Sequence, residues 1–139
     1  MELTSDEKAS VDEICRLNWQ DVTVSVWEAH SDAISLLSPE AFCYYLPGLL
    51  DASVRERQPH MIAAMTVLFM LDRTPTEELW DTHFSKRWTL LTIDELAAVE
   101  MWVEWLSSIE NLAVDELGLT RALVNLELLK EKKEQGSRL

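Results

Sequence analysis

An apolar segment in the middle of the chain constrains the fold more than any other feature of the sequence. Residues 61–71 are apolar except for Thr66, so the segment is eleven residues long. Because about twenty apolar residues are needed to cross a bilayer, we expect a core helix of a soluble protein. A helix that is apolar on all sides has to be surrounded, so the sequence predicts a bundle around a central helix at residues 60–71, with Met65 and Leu68 buried.

Helix start signals recur along the chain and predict an all-α fold. Most of them consist of Ser or Thr followed by Pro or acidic residues, and apolar residues at helical spacing come next. The predicted helices cover residues 5–19, 32–37, 39–46, 60–71, 75–86, 93–109 and 120–134. The helix at 39–46 is predicted to continue in a new direction over 49–57, and Gly136 is predicted to stop the last helix. With only three glycines in the chain, these signals predict a single-domain bundle of five to seven helices over residues 1–139, and we expect the last few residues to be disordered.

Two segments interrupt the helical pattern. Residues 21–26 alternate polar and apolar, which fits a short strand, but no partner strand is evident, so an extended segment or an irregular helix entry stays open. Pro47 cannot donate the N–H that a helix interior requires, so we expect the helix before it to stop or kink near residues 45–46. Tyr44, Tyr45 and Pro47 are therefore predicted to shape a helix end rather than to react.

The net charge of −13, from 25 acidic and 12 basic residues, limits the classes of partner. Such a charge repels nucleic acid and anionic membranes and favours a basic protein. Six tryptophans and 47% apolar residues argue against a disordered acidic tail. We therefore predict a folded protein that binds a basic protein, with neither direct nucleic-acid binding nor membrane binding; the oligomeric state stays open.

The sequence contains no pattern typical of a cofactor, a metal site or a catalytic centre. The three histidines have no HxxxH spacing, and neither a GxSxG turn nor a glycine-rich phosphate loop occurs. Cys15 and Cys43 form no CxxC pair, which favours two reduced thiols that act as small apolar core residues over a disulfide. Because no signal peptide precedes the first predicted helix, we expect a cytoplasmic protein. The lack of a catalytic pattern leads us to expect no enzymatic activity.

Two acidic clusters are the candidate partner-binding residues. Glu100 and Glu104 are four residues apart on one helix face, which fits a solvated surface, a contact with a basic partner or, less readily, an acid/base pair. Met101 and Trp105 lie at the edge of the apolar face of the same helix, and Trp105 is the predicted apolar anchor.

The second cluster consists of Glu77, Glu78 and Asp81, which flank Trp80. Acidic residues beside an aromatic ring are suited to an interface with Arg or Lys, through ion pairs and cation–π contacts. Packing of the Trp80 ring in the core is nevertheless the favoured interpretation of that residue.

The segment Leu37–Pro47, with Tyr-Tyr-Leu-Pro at its end, resembles the signature of a family of small bacterial proteins of unknown function. The later Leu91–Glu95 segment is similar to the helix start that members of that family carry. In size and charge such proteins are similar to the immunity proteins encoded beside secreted bacterial toxins, an analogy of class rather than of fold.

Three functional hypotheses remain. The first is an immunity protein whose acidic clusters, with Trp105, occlude the basic active site of a toxin that acts on nucleic acid or nucleotides. The second is a nucleic-acid mimic that inhibits a DNA-binding or defence protein. The third is a small hydrolase with a site on the Tyr44–Tyr45 segment.

Overall fold

The computed structural model describes residues 2–137, and within this range the protein is helical and contains no strand. Its α-helices are α1 (Ser5–Cys15), α2 (Val24–Ala29), α3 (Ala33–Leu36), α4 (Pro39–Arg55), α5 (Ile62–Leu71), α6 (Thr82–Trp88), α7 (Ile93–Leu106) and α8 (Glu116–Ser137). Short 3-10 helices cover Trp19–Asp21 and Glu77–Leu79. The all-α prediction is confirmed, and α2 raises the number of α-helices in the described range to eight, one above the predicted upper bound. The disorder expected at the end of the chain concerns positions 138 and 139, which lie outside the described residues.

The chain divides into two compact units, residues 1–67 and residues 68–139. The division falls inside α5. The prediction of a single domain stays a prediction, and the two units are described separately. Among residues 2–137, no helix combines the length and the apolar character that crossing a membrane requires.

Threonine caps determine where the first two helices begin in unit 1–67. The predicted capping box of α1 is present, because the Thr4 hydroxyl accepts from the Glu7 backbone N–H at 3.1 Å and Glu7 Oε1 accepts from the Thr4 N–H at 2.9 Å. The segment 21–26, for which a strand was one option, instead leads into α2. Thr23 caps that helix by accepting from the backbone N–H of Val26 at 3.4 Å, so this stretch is a helix entry.

Helix α4 does not end at Pro47, so the predicted stop at residues 45–46 is wrong, while the alternative of a kink there stays a prediction. Ser38 caps the helix as predicted, and the helix then continues through Pro47 to Arg55. Tyr45 and Leu46 are buried before the proline and Leu49 after it, while Pro47 itself is exposed. Burial of a continuous apolar face therefore offsets the hydrogen bond that proline cannot donate.

Gly48 allows the 3-10 helix Trp19–Asp21 to approach α4 closely. A Cβ atom on Gly48 would lie 2.8 Å from the Trp19 carbonyl oxygen and 2.9 Å from Trp19 Cε3. Both distances are too short for real contacts, and the first involves backbone, which cannot rotate away. The sequence alone assigned no role to this glycine.

Gly48→Ala should therefore destabilise the protein, although alanine is the better helix former. The expected loss in the free energy of unfolding is about 1–2 kcal/mol, because overpacking costs about 1–3 kcal/mol and helix propensity returns up to about 1 kcal/mol. Gly136→Ala is the matched control, since its methyl group would meet no atom within 4 Å and should be neutral or stabilising. Urea denaturation measures both, and equal stability of the two variants would contradict the close approach at Gly48.

Helix α5 carries the apolar segment, but one side of it is exposed. Met65 and Leu68 are buried as predicted. Ile62 and Phe69, however, are 55% and 50% exposed, so the expectation that this helix is surrounded on all sides is too strong. Thr66, the polar residue of the segment, lies on this same side, four residues after Ile62 and three before Phe69, and is the local sign of the exposure.

In unit 68–139, three helix boundaries differ from their predicted positions. Helix α6 begins after Asp81, whose carboxylate accepts from the Phe84 N–H at 2.7 Å, and not near Pro75. Helix α8 begins at Glu116, four residues before the predicted start, and runs through Gly136, so the predicted stop at that glycine is wrong. Helix α7 begins at the predicted capping box of Thr92 and Glu95.

Candidate partner-binding site

Helices α7 and α8 pack against each other and form a shallow groove of about 430 Å³ between them. Glutamates from both helices and aliphatic side chains from α8 line it: Glu100, Glu104, Leu123, Val124, Glu127, Leu128 and Glu131. Of the aliphatic residues, Val124 is 40% exposed. We call this surface the α7–α8 groove.

Lys130 pairs with two of these glutamates. Its Nζ lies 2.5 Å from Glu100 Oε1 and 3.1 Å from Glu127 Oε2. The side chains of Lys130 and Glu100 are only 22% and 17% exposed, so this pair is better shielded from water than an ordinary surface ion pair. The Lys130 ammonium donates hydrogen bonds to Glu100 and Glu127, and these bonds, the one to Glu100 most of all, raise the pKa of Lys130 and keep it protonated. Four carboxylates and one ammonium leave the groove strongly negative.

Glu104 and Glu131 differ from Glu100 in having no ion pair among the described residues. Both side chains are exposed, one on each helix of the groove. They are therefore the groove carboxylates that are free to meet a basic partner. Glu100, which the sequence grouped with Glu104, is already neutralised by Lys130.

The predicted apolar residues of α7 do not line the groove. Met101 is strongly exposed and directly follows Glu100, whereas Trp105 is half-buried. The aliphatic side chains of the groove come from α8 instead.

Two residues of the second predicted cluster form ion pairs with basic residues of the protein itself. Glu77 pairs with Lys132 at 2.5 Å, and Asp81, besides capping α6, lies 3.6 Å from Arg73. Within this cluster, Glu78 alone is exposed and has no ion pair among the described residues. Because these carboxylates neutralise the protein's own cations, the cluster offers less free charge than the sequence indicates.

Trp80 has the packing role that the sequence favoured. Its indole N–H donates to Asn125 Oδ1 at 3.3 Å, and its ring lies 5.1 Å from the Phe84 ring, centroid to centroid. Both contacts hold the tryptophan in place within unit 68–139. Trp80 is therefore a packed aromatic residue and not an exposed anchor.

Sequence reasoning missed the contribution of α8 to the groove. Glu127 and Glu131 have the same i,i+4 spacing as Glu100 and Glu104, and they follow the aliphatic pair Leu123 and Val124. That spacing could have indicated a second acidic face. The mixed charges after residue 129 instead suggested a solvated helix terminus.

Tyr45, in the segment predicted as the site of a hydrolase, has a structural role. The Tyr45 hydroxyl donates to the Leu17 carbonyl oxygen at 2.6 Å, and its ring packs edge-on against Trp27 and Tyr44. Burial raises the pKa of Tyr45, and the neighbouring Cys15 and Tyr44 raise it further. A tyrosine that is harder to ionise and already bonded is poorly suited to act as a nucleophile or a base.

Tyr45→Phe should lower the free energy of unfolding by about 1 kcal/mol, because the Leu17 carbonyl loses its donor. The difference should shrink above about pH 10, because the raised pKa of Tyr45 makes it ionise less readily in the fold than in the unfolded chain, so the wild type loses stability and the variant does not. Urea denaturation at about pH 7 and about pH 11 measures this, with Tyr44→Phe as the exposed control. If Tyr45→Phe kept its stability but lost all binding or activity, a ligand-contacting tyrosine would be the better account.

The potential metal ligands and thiols are dispersed. Among the described residues, no group of three or more His, Cys, Asp or Glu side chains is arranged to hold a metal ion. Cys15 is exposed and Cys43 half-buried, and neither is in a disulfide. The expectation that both cysteines lie in the core is therefore wrong for Cys15.

The fold and this groove define a small, acidic, all-helical protein with an acidic and apolar surface between its last two helices. A protein-family model matches residues 1–125, and the chain belongs to that family, a family of unknown function (DUF6714). The match agrees with the resemblance to an uncharacterised family. No curated protein and no solved structure matches the chain.

Proposed function

We propose that this protein is an acidic inhibitor that binds a basic protein and covers its active site. The observation that carries the proposal is the α7–α8 groove, where Glu104 and Glu131 have no ion pair among the described residues and lie beside the exposed Val124 and the half-buried Leu123 and Leu128. Charge complementarity steers association and selects partners, while buried apolar contacts supply much of the affinity. The groove offers both kinds of contact.

The partner class that fits best is a bacterial toxin acting on nucleic acid or nucleotides, with this protein as its cytoplasmic immunity protein. Enzymes that bind phosphate-rich substrates have basic active-site clefts, and a protein of net charge −13 is attracted to such a cleft. Mimicry of nucleic acid, the second hypothesis, requires negative charge but no aliphatic contacts. Leu123, Val124 and Leu128 in the groove therefore favour a partner surface that combines apolar with basic side chains over one that binds only phosphate-like charge.

The test is isolation of the partner followed by an inhibition assay. The tagged protein is purified from its native host, bound proteins are identified by mass spectrometry, and each candidate is produced separately. We expect a basic protein whose nucleic-acid- or nucleotide-directed activity is blocked at one equivalent of this protein. A partner without a basic surface, or a partner that keeps full activity when saturated, would refute the proposal.

A further inference from the structure

We infer that the α7–α8 groove binds an amphipathic, basic α-helix of the partner. This inference rests on the proposed function and specifies the structural element that makes the contact. The groove presents apolar side chains from α8 together with carboxylates from both α7 and α8. A helix with an apolar stripe flanked by Arg or Lys complements both features in one element.

The length of the groove matches a short helical contact. From Leu123 to Glu131 the α8 axis advances about 12 Å, at 1.5 Å per residue. A docked helix of roughly two turns spans that distance and presents apolar side chains at positions i, i+4 and i+7. Three such anchors correspond to the three aliphatic side chains of the groove, Leu123, Val124 and Leu128.

Basic side chains of the docked helix compete with Lys130 for part of the groove. The Lys130 ammonium group is already paired with Glu100 and Glu127. An incoming guanidinium finds Glu104 and Glu131 unpaired, and it competes with Lys130 for the other two carboxylates. Lys130→Gln makes the groove more negative by one charge, so it should strengthen binding of a basic helix at low salt.

Synthetic peptides test the inference without the natural partner. The first is an 18-residue peptide with leucines at i, i+4 and i+7 and arginines on both sides of them; the second has the same composition in a permuted order without an apolar face. Calorimetry measures the affinities, and far-UV circular dichroism measures peptide helicity. We expect the amphipathic peptide to become helical on binding, to bind at least tenfold tighter than the permuted one, and to bind tighter still to Lys130→Gln.

A matched pair of variants separates groove docking from simple charge attraction. Val124→Asp adds a negative charge in the groove, and Leu117→Asp adds the same charge at an exposed position of α8 that does not line it. We expect Val124→Asp to weaken the amphipathic peptide at least tenfold, despite the added attraction, and Leu117→Asp to change it less than twofold.

Equal binding of the two peptides, or undiminished binding to Val124→Asp, would overturn the helix-docking inference. That outcome would leave the proposed inhibition of a basic protein intact, because charge attraction alone would then account for binding. Conversely, a purified partner that is not inhibited would refute the proposed function whatever the peptides show.

Discussion

Leu68→Asp should prevent the protein from folding. Leu68 is fully buried in α5, so the substitution removes a large apolar side chain and places a carboxylate in the core without water or a basic side chain to compensate its charge. The expected loss exceeds about 4 kcal/mol, which is a large part of the 5–15 kcal/mol that stabilises a typical domain. Circular dichroism during thermal denaturation, together with the soluble yield, measures the effect.

Phe69→Asp is the matched control for that substitution. It introduces the same charge one residue later on the same helix, but at a side chain that is half exposed, so it should melt cooperatively and lose much less stability. A soluble Leu68→Asp variant that melts like Phe69→Asp would show that the core of α5 has been misplaced.

Asn125→Asp should have the second largest effect on stability, a loss of about 3 kcal/mol. Asn125 is fully buried, and its Nδ2 donates to the carbonyl oxygens of Leu71 at 2.8 Å and Arg73 at 3.1 Å. A carboxylate cannot donate, so two carbonyl oxygens would face a buried negative charge. Only the bond accepted from Trp80 would remain.

The loss at Asn125→Asp should depend on pH. Burial beside carbonyl oxygens raises the pKa of the new carboxyl above its unfolded value of about 3.9. The protonated acid can donate again, so the deficit is smallest at or below about pH 4 and grows as the pH rises through the raised pKa. Gln135→Glu makes the same amide-to-acid change at an exposed position of α8 and should cost less than about 0.5 kcal/mol. Equal losses for the two variants at neutral pH would contradict the role assigned to Asn125.

The fold class and several helix starts were predictable because their signals are local. The capping boxes at Thr4 and Thr92 and the Ser38 cap before Pro39 each need only neighbouring residues, and all three are present in the structure. The continuation of α4 through Pro47 was not predictable in this way. It depends on what Tyr45, Leu46 and Leu49 bury, which is decided by tertiary packing.

The candidate site was predictable only in part. Glu104 lies in the groove and is unpaired, as a partner-binding residue should be, but the ion pairs of Glu77 and Glu100 connect residues far apart in sequence. Lys130 and Lys132 reach these glutamates because α8 brings them there, and no local spacing reveals such partners. For the same reason, the sequence predicted the apolar anchor at Trp105 on α7, whereas the apolar side chains of the groove lie on α8.

The central claim is that free carboxylates in the α7–α8 groove attract a basic partner. Glu104→Lys with Glu131→Lys tests it best, because neither residue has an ion pair to lose, whereas Lys at position 100 would confront Lys130. Glu2→Lys with Glu110→Lys is the control, since both residues are exposed, neither lines the groove, and the net charge likewise changes from −13 by two reversals.

The most direct measurement is calorimetric titration of the isolated partner against the wild type and both double variants across a salt series. We expect the wild-type affinity to fall as salt screens the attraction, with the groove variant binding at least tenfold more weakly, or about 1.4 kcal/mol, at low salt. The control variant should stay within about threefold of the wild type at the same salt concentration, a difference of less than about 0.7 kcal/mol. An affinity that does not change with salt concentration, or that falls equally in both variants, would contradict the claim.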